Sequence, residues 1–535
     1  MRGWRLIIWL ICVSAFLWLA LDGAMHWDEP AYLYTGGFLS FQQILAGDFQ
    51  PAGIAHFYLT RPLHVLMVHW ITSLTGVGMP GLIGVISYCT LSLIGFLVFT
   101  FLILRELMPG LNRLGEAVAL GLLIPVVSYL FFKTLPECGA LLCASAAMYA
   151  LIKGARAGTT RTAVVWLIAA SVAIMLALWF KGPMLLLAAS GVPAIVLFGG
   201  RGGDRFRLPV HTLIAAAAGL ALAYAGVVML GIDPSIYVGG VARVGGEHEP
   251  LTARILNNGT PPGLFLFVLP LAFFSSRKRE VWLCLTWYVL AVVPLAVLFP
   301  SMEARYQAPQ VPALIGLTAL ALDGVAPWLR AAWDKRPARV GVGIAVLAVF
   351  VVFSHTLAIA VMQHEVKVGD VRRMMDQLDG RYGTDGYALL TSWTYTDFLY
   401  LRFMYPDRPI YTAHTAEAIH KANVSHELMR SSHETYFGER MIERPEQMYR
   451  IGGRVTVLFG FHENFAAANL RSIFSHIPGN PLAGQLAKVH LHDHLATTWL
   501  WDNPAYELKE VVGVGHYHAF EVKQAVSGVD GSGAP

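Results

Sequence analysis

The chain has 535 residues, of which 56% are hydrophobic and 14% charged, and its net charge at neutral pH is +4. A soluble globular protein carries about 25% charged residues, so much of this chain is built for a solvent without water, and an ordinary water-soluble enzyme is excluded. The small net charge singles out no partner, and nucleic acid is not expected among the partners.

Taken in chain order, Met1 to Arg5 form a basic flank before an apolar run that ends at Leu21. That pattern fits a signal peptide or a first membrane span. Asp22-Gly23-Ala24 is a poor cleavage site, which favours an uncleaved span. A bilayer needs about 20 apolar residues per helical span. On that measure spans are predicted near 6–21, 81–104, 114–132, 137–152, 163–180, 183–199, 209–230, 262–275, 281–299, 306–323 and 340–362, eleven in all. The breaks at Lys133-Pro136 and Lys181-Pro183 are short turns between spans. All five cysteines (Cys12, Cys89, Cys138, Cys143 and Cys284) fall in apolar runs and match no zinc or redox spacing.

Basic residues in short loops set orientation. With the N-terminus inside, the inner segments carry seventeen Lys and Arg, and the outer segments before residue 363 carry six: Arg61, Lys133, Lys181, Arg243, Arg254 and Arg305. Two outer loops are long, from Asp22 to Pro80 and from Gly231 to Pro262. The first holds two amphipathic stretches, Tyr32 to Leu45 and Leu63 to Leu74, which read as helices at the membrane surface. Eleven spans place the C-terminus outside. The domains are then a membrane domain over 1–362, an extracytoplasmic α/β domain over 363–526 and a Gly/Ser-rich tail over 527–535. Strand-like runs (387–391 and 455–459) and a helix-like one (366–378) support the α/β reading.

Five outer constellations carry chemistry: His26-Trp-Asp28-Glu29-Pro30-Ala-Tyr32, Arg61-Pro62-Leu63, Lys133-Thr-Leu-Pro136-Glu137, Lys181-Gly182-Pro183 and Glu303-Ala-Arg305-Tyr306. Each has a plain structural reading as well. Asp28-Glu29-Pro30 is good helix-start chemistry, and a Lys or Arg beside a span is commonly a snorkelling anchor. Their joint placement says more. Scarce outer cations and the acids Asp28, Glu29 and Glu137 gather at one membrane interface. Cations at that depth suit a phosphate on a lipid tail, and a carboxylate beside them suits a general base.

On these motifs the chain resembles the GT-C glycosyltransferases that use polyprenyl-phosphate sugars, a group that includes protein O-mannosyltransferases and the transferases that add aminoarabinose to lipid A. Asp28-Glu29 matches the acidic pair after the family's first span. Arg61-Pro62-Leu63 is similar to its Lys-Pro-Pro segment, with Arg for Lys and Leu for the second Pro. Glu137 stands where the family has an Asp, and Thr60 stands where the aminoarabinose transferases have a Glu. Lys181-Gly182-Pro183 and Arg305-Tyr306…Pro309…Pro312 resemble two further family motifs.

The resemblance implies a GT-C fold and an inverting transfer of a sugar from a polyprenyl phosphate to an acceptor hydroxyl. Asp28 is the expected base, with Glu29 and Glu137 orienting acceptor or sugar. Arg61, Lys181, Arg305 and Tyr306 hold the donor phosphate, and Arg243 and His248 are additions from the later outer loop. No cofactor or metal is required. The acceptor is a lipid, glycan or protein, and the location is a bacterial inner membrane with the site on the periplasmic side. The competing reading is a transporter or flippase for a lipid-linked substrate. Against it stand the absence of an inverted repeat and the placement of the acids at the outer edge rather than mid-span. A third reading, a sensory or structural membrane protein, leaves the interface charges unexplained. His490-Leu-His492-Asp-His494 puts three histidines on one face of a strand, read as a polar face rather than a metal site.

Overall fold

The computed structural model describes residues 24–25, 29–38, 61–199, 202–232, 252, 265–298, 304–336, 339–343, 346, 366–391, 395–413, 441–442, 451–461, 506–514 and 517–524. Two short helices come first: α1 (Glu29–Phe38) and α2 (Pro62–Thr75). They pack on each other where Gly36 leaves room for Val68, and His69 Nδ1 and Thr72 Oγ1 lie 3.0 and 3.2 Å from the Gly36 carbonyl oxygen. Then follow α3 (Met79–Leu107), α4 (Leu114–Gly121), α5 (Pro125–Leu130), α6 (Pro136–Ala155), α7 (Thr160–Lys181), α8 (Leu186–Phe198), α9 (Gly202–Met229), α10 (Phe265–Ala272), α11 (Lys278–Leu298) and α12 (Val311–Lys335).

Among the described residues six helical stretches are long and apolar enough to cross a membrane by length and composition: Met79–Leu107, Pro136–Ala155, Thr160–Phe198, Arg205–Met229, Lys278–Val297 and Arg305–Lys335. At 1.5 Å per residue, about 20 residues cover the ~30 Å hydrocarbon layer. Thr160–Phe198 is longer because it doubles back. The helix α7 stops at Lys181, whose φ of −168° and ψ of 96° are extended, and Gly182–Leu185 form a 3-10 turn before α8. Pro183 lacks the N–H that would continue the helix.

The two ends of the bundle are distinct. At one rim Lys153 Nζ pairs with Glu106 at 3.0 Å and Arg156 Nη1 donates to the Glu106 carbonyl at 2.9 Å. At the same rim Arg277 Nη1 donates to the Pro109 carbonyl at 3.1 Å and Arg279 Nε to the Phe198 carbonyl at 2.8 Å. Lys181, Glu137 and Arg305 meet at the other end. Both termini of the Thr160–Phe198 hairpin therefore sit at the basic rim, and its turn sits at the opposite end.

Sequence and structure differ at three spans. The predicted span 114–132 is two short helices, α4 and α5. Ile124 is extended before Pro125 (φ −65°, ψ 124°), because the proline ring disfavours a helical residue ahead of it. The predicted span 306–323 opens with a 3-10 segment, Ala304–Gln310, that contains Pro309, and then runs on as α12 to Lys335. The predicted span 262–275 is described as helix only over Phe265–Ala272. The predicted span 6–21 lies outside the described residues, as does most of 340–362.

Beyond the bundle, β2 (Val366–Lys367) pairs antiparallel with β1 (Ala24–Met25), tying the later domain to the first loop. The helix α13 (Val368–Tyr382) follows. A six-stranded sheet then forms in the order β5-β4-β3-β6-β8-β7 from β3 (Tyr387–Thr391), β4 (Ile410–Ala413), β5 (Met441–Ile442), β6 (Val455–Phe461), β7 (Tyr506–Val514) and β8 (Tyr517–Gln524). The first four strands in that order are parallel, and β8 and β7 are antiparallel additions. All five residues of β3 are buried, as befits a central parallel strand covered on both faces. Between β3 and β4 lies α14 (Tyr395–Met404), which packs against α1. Phe403 fits against Gly37 and Gly81, and the Arg402 guanidinium lies 5.7 Å from the Phe38 ring centre.

Candidate active site

Local chemistry brings each charged group to a helix start. Glu29 opens α1 ahead of Pro30, and Glu137 follows Pro136 in the first turn of α6. A carboxylate in the first turn complements the positive end of the helix dipole, and proline is preorganised there. Arg61 precedes Pro62, and its carbonyl receives the first backbone bonds of α2, from His64 and Val65. Lys181 sits at the break between α7 and the 3-10 turn, and Arg305 and Tyr306 lie in the 3-10 segment before α12.

The tertiary structure gathers these starts at one end of the bundle. Glu137 is fully buried, with Lys181 Nζ at 2.5 Å and Arg305 Nε at 3.2 Å from the same oxygen, Oε1. Tyr306 lies beneath both cations, with its ring centre 4.6 Å from Lys181 Nζ and 5.6 Å from the Arg305 guanidinium carbon. Arg61 donates to the hydroxyl of buried Tyr32 in α1, and its guanidinium also lies 5.8 Å from the Tyr32 ring centre.

Glu29 is bound from the turn that precedes α6. The Thr134 N–H and Oγ1 donate to its Oε2 at 2.5 and 2.7 Å. In the same turn Phe132 has a φ of +62°, the one left-handed non-glycine among the described residues. Lys133 is buried there, 5.2 Å from the Tyr129 ring centre. His64 is wholly buried, with Nε2 3.1 Å from the Thr134 carbonyl oxygen. Its helix α2 is not one of the six long apolar stretches. Burial away from water, with Arg61 and Lys181 nearby, holds the His64 pKa down to about 4, against the smaller upward pulls of the Thr134 carbonyl and Glu137.

Of the residues expected from sequence, Glu29, Arg61, Glu137, Lys181, Arg305 and Tyr306 are thus brought together. Asp28, Arg243 and His248 lie outside the described residues, as does His490-Leu-His492-Asp-His494. Sequence reasoning gave no role to His64, Thr134 or Tyr32. His64 lies in the first turn of α2, three residues after Arg61, and that nearness was its local signal. Thr134 acts partly through its backbone and left no such signal. Among the described residues no three His, Cys, Asp or Glu side chains gather as a metal site.

Among the described residues four buried cations (Arg61, Lys133, Lys181 and Arg305) share this end of the molecule with two buried carboxylates, Glu29 and Glu137. Buried charge is costly unless compensated, and a cluster of buried cations is a setting in which an anion can be held.

No protein-family model and no curated protein matches the chain. Solved structures do, and they show the fold: this chain has the GT-C fold. The structures that show it are two crystal structures of ArnT from Cupriavidus metallidurans. The apo form superposes at a TM-score of 0.59 with 14% identity, over 97% of this chain and 98% of that one. The form with undecaprenyl phosphate bound gives a TM-score of 0.56 with 13% identity, over the same 97% and 98%. The oligosaccharyltransferase AglB from Archaeoglobus fulgidus also matches, with 12% identity over 96% of this chain and 74% of that one, but its TM-score of 0.45 adds nothing to the fold assignment.

Proposed function

We propose that the chain is a membrane glycosyltransferase that moves a sugar from a polyprenyl phosphate to an acceptor hydroxyl, with inversion at the anomeric carbon. The observation that carries this reading is the cluster of four buried cations at one end of a GT-C bundle. Undecaprenyl phosphate, the lipid in the second ArnT structure, is an anion of the kind such a cluster suits. In this reading Arg61, Lys181 and Arg305, with Tyr306 beside them and Arg243 from the later loop, receive the donor phosphate.

The step balances simply. The acceptor hydroxyl oxygen attacks the anomeric carbon, its proton passes to the Asp28 carboxylate, and the bond from that carbon to the phosphate oxygen breaks. The lipid phosphate leaves with the electron pair. A phosphate is already a weak base, so no acid is needed to expel it, and fixed cations stabilise the charge that develops on it. Glu29, next to Asp28 in sequence, anchors that segment to the turn before α6. Glu137 holds Lys181 and Arg305 in place, a role its two ion pairs support better than proton transfer. The basic rim faces the cytoplasm by the positive-inside rule, so the site opens to the periplasm of a bacterial inner membrane, with the C-terminal domain on the same side.

The test is transfer by the purified full chain supplied with polyprenyl-phosphate sugars, followed by the anomeric configuration of the product. Asp28→Asn should lower turnover by roughly a thousandfold, within the range of a lost general base, while expression and folding stay normal. Near-wild-type turnover in that variant would falsify the base assignment. Lipid-linked sugar that crosses the bilayer of proteoliposomes without being transferred would favour a flippase instead.

A further inference from the structure

We propose that His64 is a positioning residue of this site, acting through Thr134 on Glu29 and so on the segment that carries Asp28. The proposal rests on the transferase reading for its consequence, but its geometry stands apart from it. The imidazole is wholly buried, and its Nε2 lies 3.1 Å from the Thr134 carbonyl oxygen. A carbonyl can only accept, so Nε2 carries the proton and Nδ1 the lone pair. Among the described residues Nδ1 has no hydrogen-bond partner. The ring meets Tyr32 edge to face, with centres 4.9 Å apart and planes at 89°, and Tyr32 in turn takes the hydrogen bond of Arg61.

Thr134 is therefore held at three atoms. Its N–H and Oγ1 go to Glu29, and its carbonyl goes to His64. Two residues earlier, Phe132 stands at a φ of +62°. A left-handed non-glycine residue persists only where its surroundings over-determine it, and the three bonds at Thr134 supply that determination. One turn of chain thus locks α1, which carries Glu29, to α2, which Arg61 precedes, just ahead of Glu137. A histidine needed only for packing would be replaceable by an apolar side chain of similar size. A histidine that holds this turn needs a donor at Nε2.

The substitutions that separate these roles are His64→Leu and His64→Gln, since the glutamine amide nitrogen reaches to about where Nε2 stands. In the full chain, a nitroxide attached at Asp28→Cys should move distinctly faster when His64→Leu is added, and should return toward its original motion with His64→Gln. In otherwise wild-type chain, His64→Leu should lower kcat for sugar transfer by roughly ten- to a hundredfold, the scale of lost positioning. Affinity for undecaprenyl phosphate should stay within about threefold, because the phosphate-binding cations are untouched. His64→Gln should recover most of kcat. Unchanged label motion in His64→Leu, or equal effects of Leu and Gln, overturns the proposal. If wild-type chain transfers no sugar, the transferase reading fails, while the label still decides the role of His64.

Discussion

At the scale of single residues, the site is organised by who holds whom. Glu137 was expected to orient acceptor or sugar. Its contacts with Lys181 and Arg305, both at Oε1, support the role proposed above, a carboxylate that keeps two like charges in place. Removing one partner of a buried pair costs more than the pair itself contributes, because the other charge is left uncompensated. His64 gives the residue-scale prediction. Its folded pKa, about 4, lies below the value of 6.5 expected when it is exposed. The unfolded chain therefore takes up a proton that the folded chain refuses. Stability from this source is full above pH 6.5 and is lost as pH falls toward 4, by up to about 3 kcal/mol at 1.36 kcal/mol per unit. Thermal melting in detergent at pH 7 and pH 5 should show a larger drop for wild type than for His64→Gln, which has no group that titrates there.

At the scale of elements, prolines and glycines decide where helices break and how closely they approach. Pro125 divides one predicted span into α4 and α5, and Pro183 helps turn α7 back into α8. Close approach is sharpest between α7 and α9. Trp179 Nε1 donates to the Ala223 carbonyl at 3.2 Å, and a Cβ at Gly226 would lie 2.1 Å from the same indole ring. Gly226→Ala should therefore displace the ring and destabilise the bundle by about 1–3 kcal/mol, the range for overpacking. The readout is a lower melting temperature with a changed tryptophan emission. Gly115→Ala, where a Cβ meets nothing within 4 Å, should leave both unchanged or raise the melting temperature slightly. Apolar runs, prolines and the basic asymmetry make most of these elements legible in the amino-acid sequence. The 3-10 start of α12 is not legible there, because a proline four residues into an apolar run reads equally well as a helix start.

At the scale of the whole molecule, the two ends differ in kind. One is a rim of basic side chains bonded to carbonyls and Glu106, and the other gathers Glu29, Arg61, Lys133, Glu137, Lys181 and Arg305. The C-terminal domain is fastened to the latter end through β1–β2 and through α14 on α1. The orientation proposed above makes a direct prediction. A membrane-impermeant maleimide added to intact spheroplasts should label Gly380→Cys, at an exposed position of α13. It should not label Gly158→Cys, between α6 and α7, until the membrane is opened. The reverse pattern would invert the molecule and move the site to the cytoplasm.

The sequence by itself determined that the chain is rich in apolar runs of membrane-spanning length, where most described helices begin and end, and which scarce charges stand near helix starts at one end of the bundle. These follow from local properties: apolar length, proline geometry and the cost of charge in hydrocarbon. The acidic residues and cations stood at helix starts, each alone with a good reading as a cap or an anchor, and only their joint placement pointed to one interface. Only the tertiary structure decided that Glu29, Arg61, Glu137, Lys181 and Arg305, spread across some 276 residues of chain, occupy one buried cluster. It also decided that Glu137 pairs with the cations and that Thr134 bonds both His64 and Glu29. Partners so far apart are chosen by helix packing and by the need to compensate buried charge, and neither leaves a mark in local sequence.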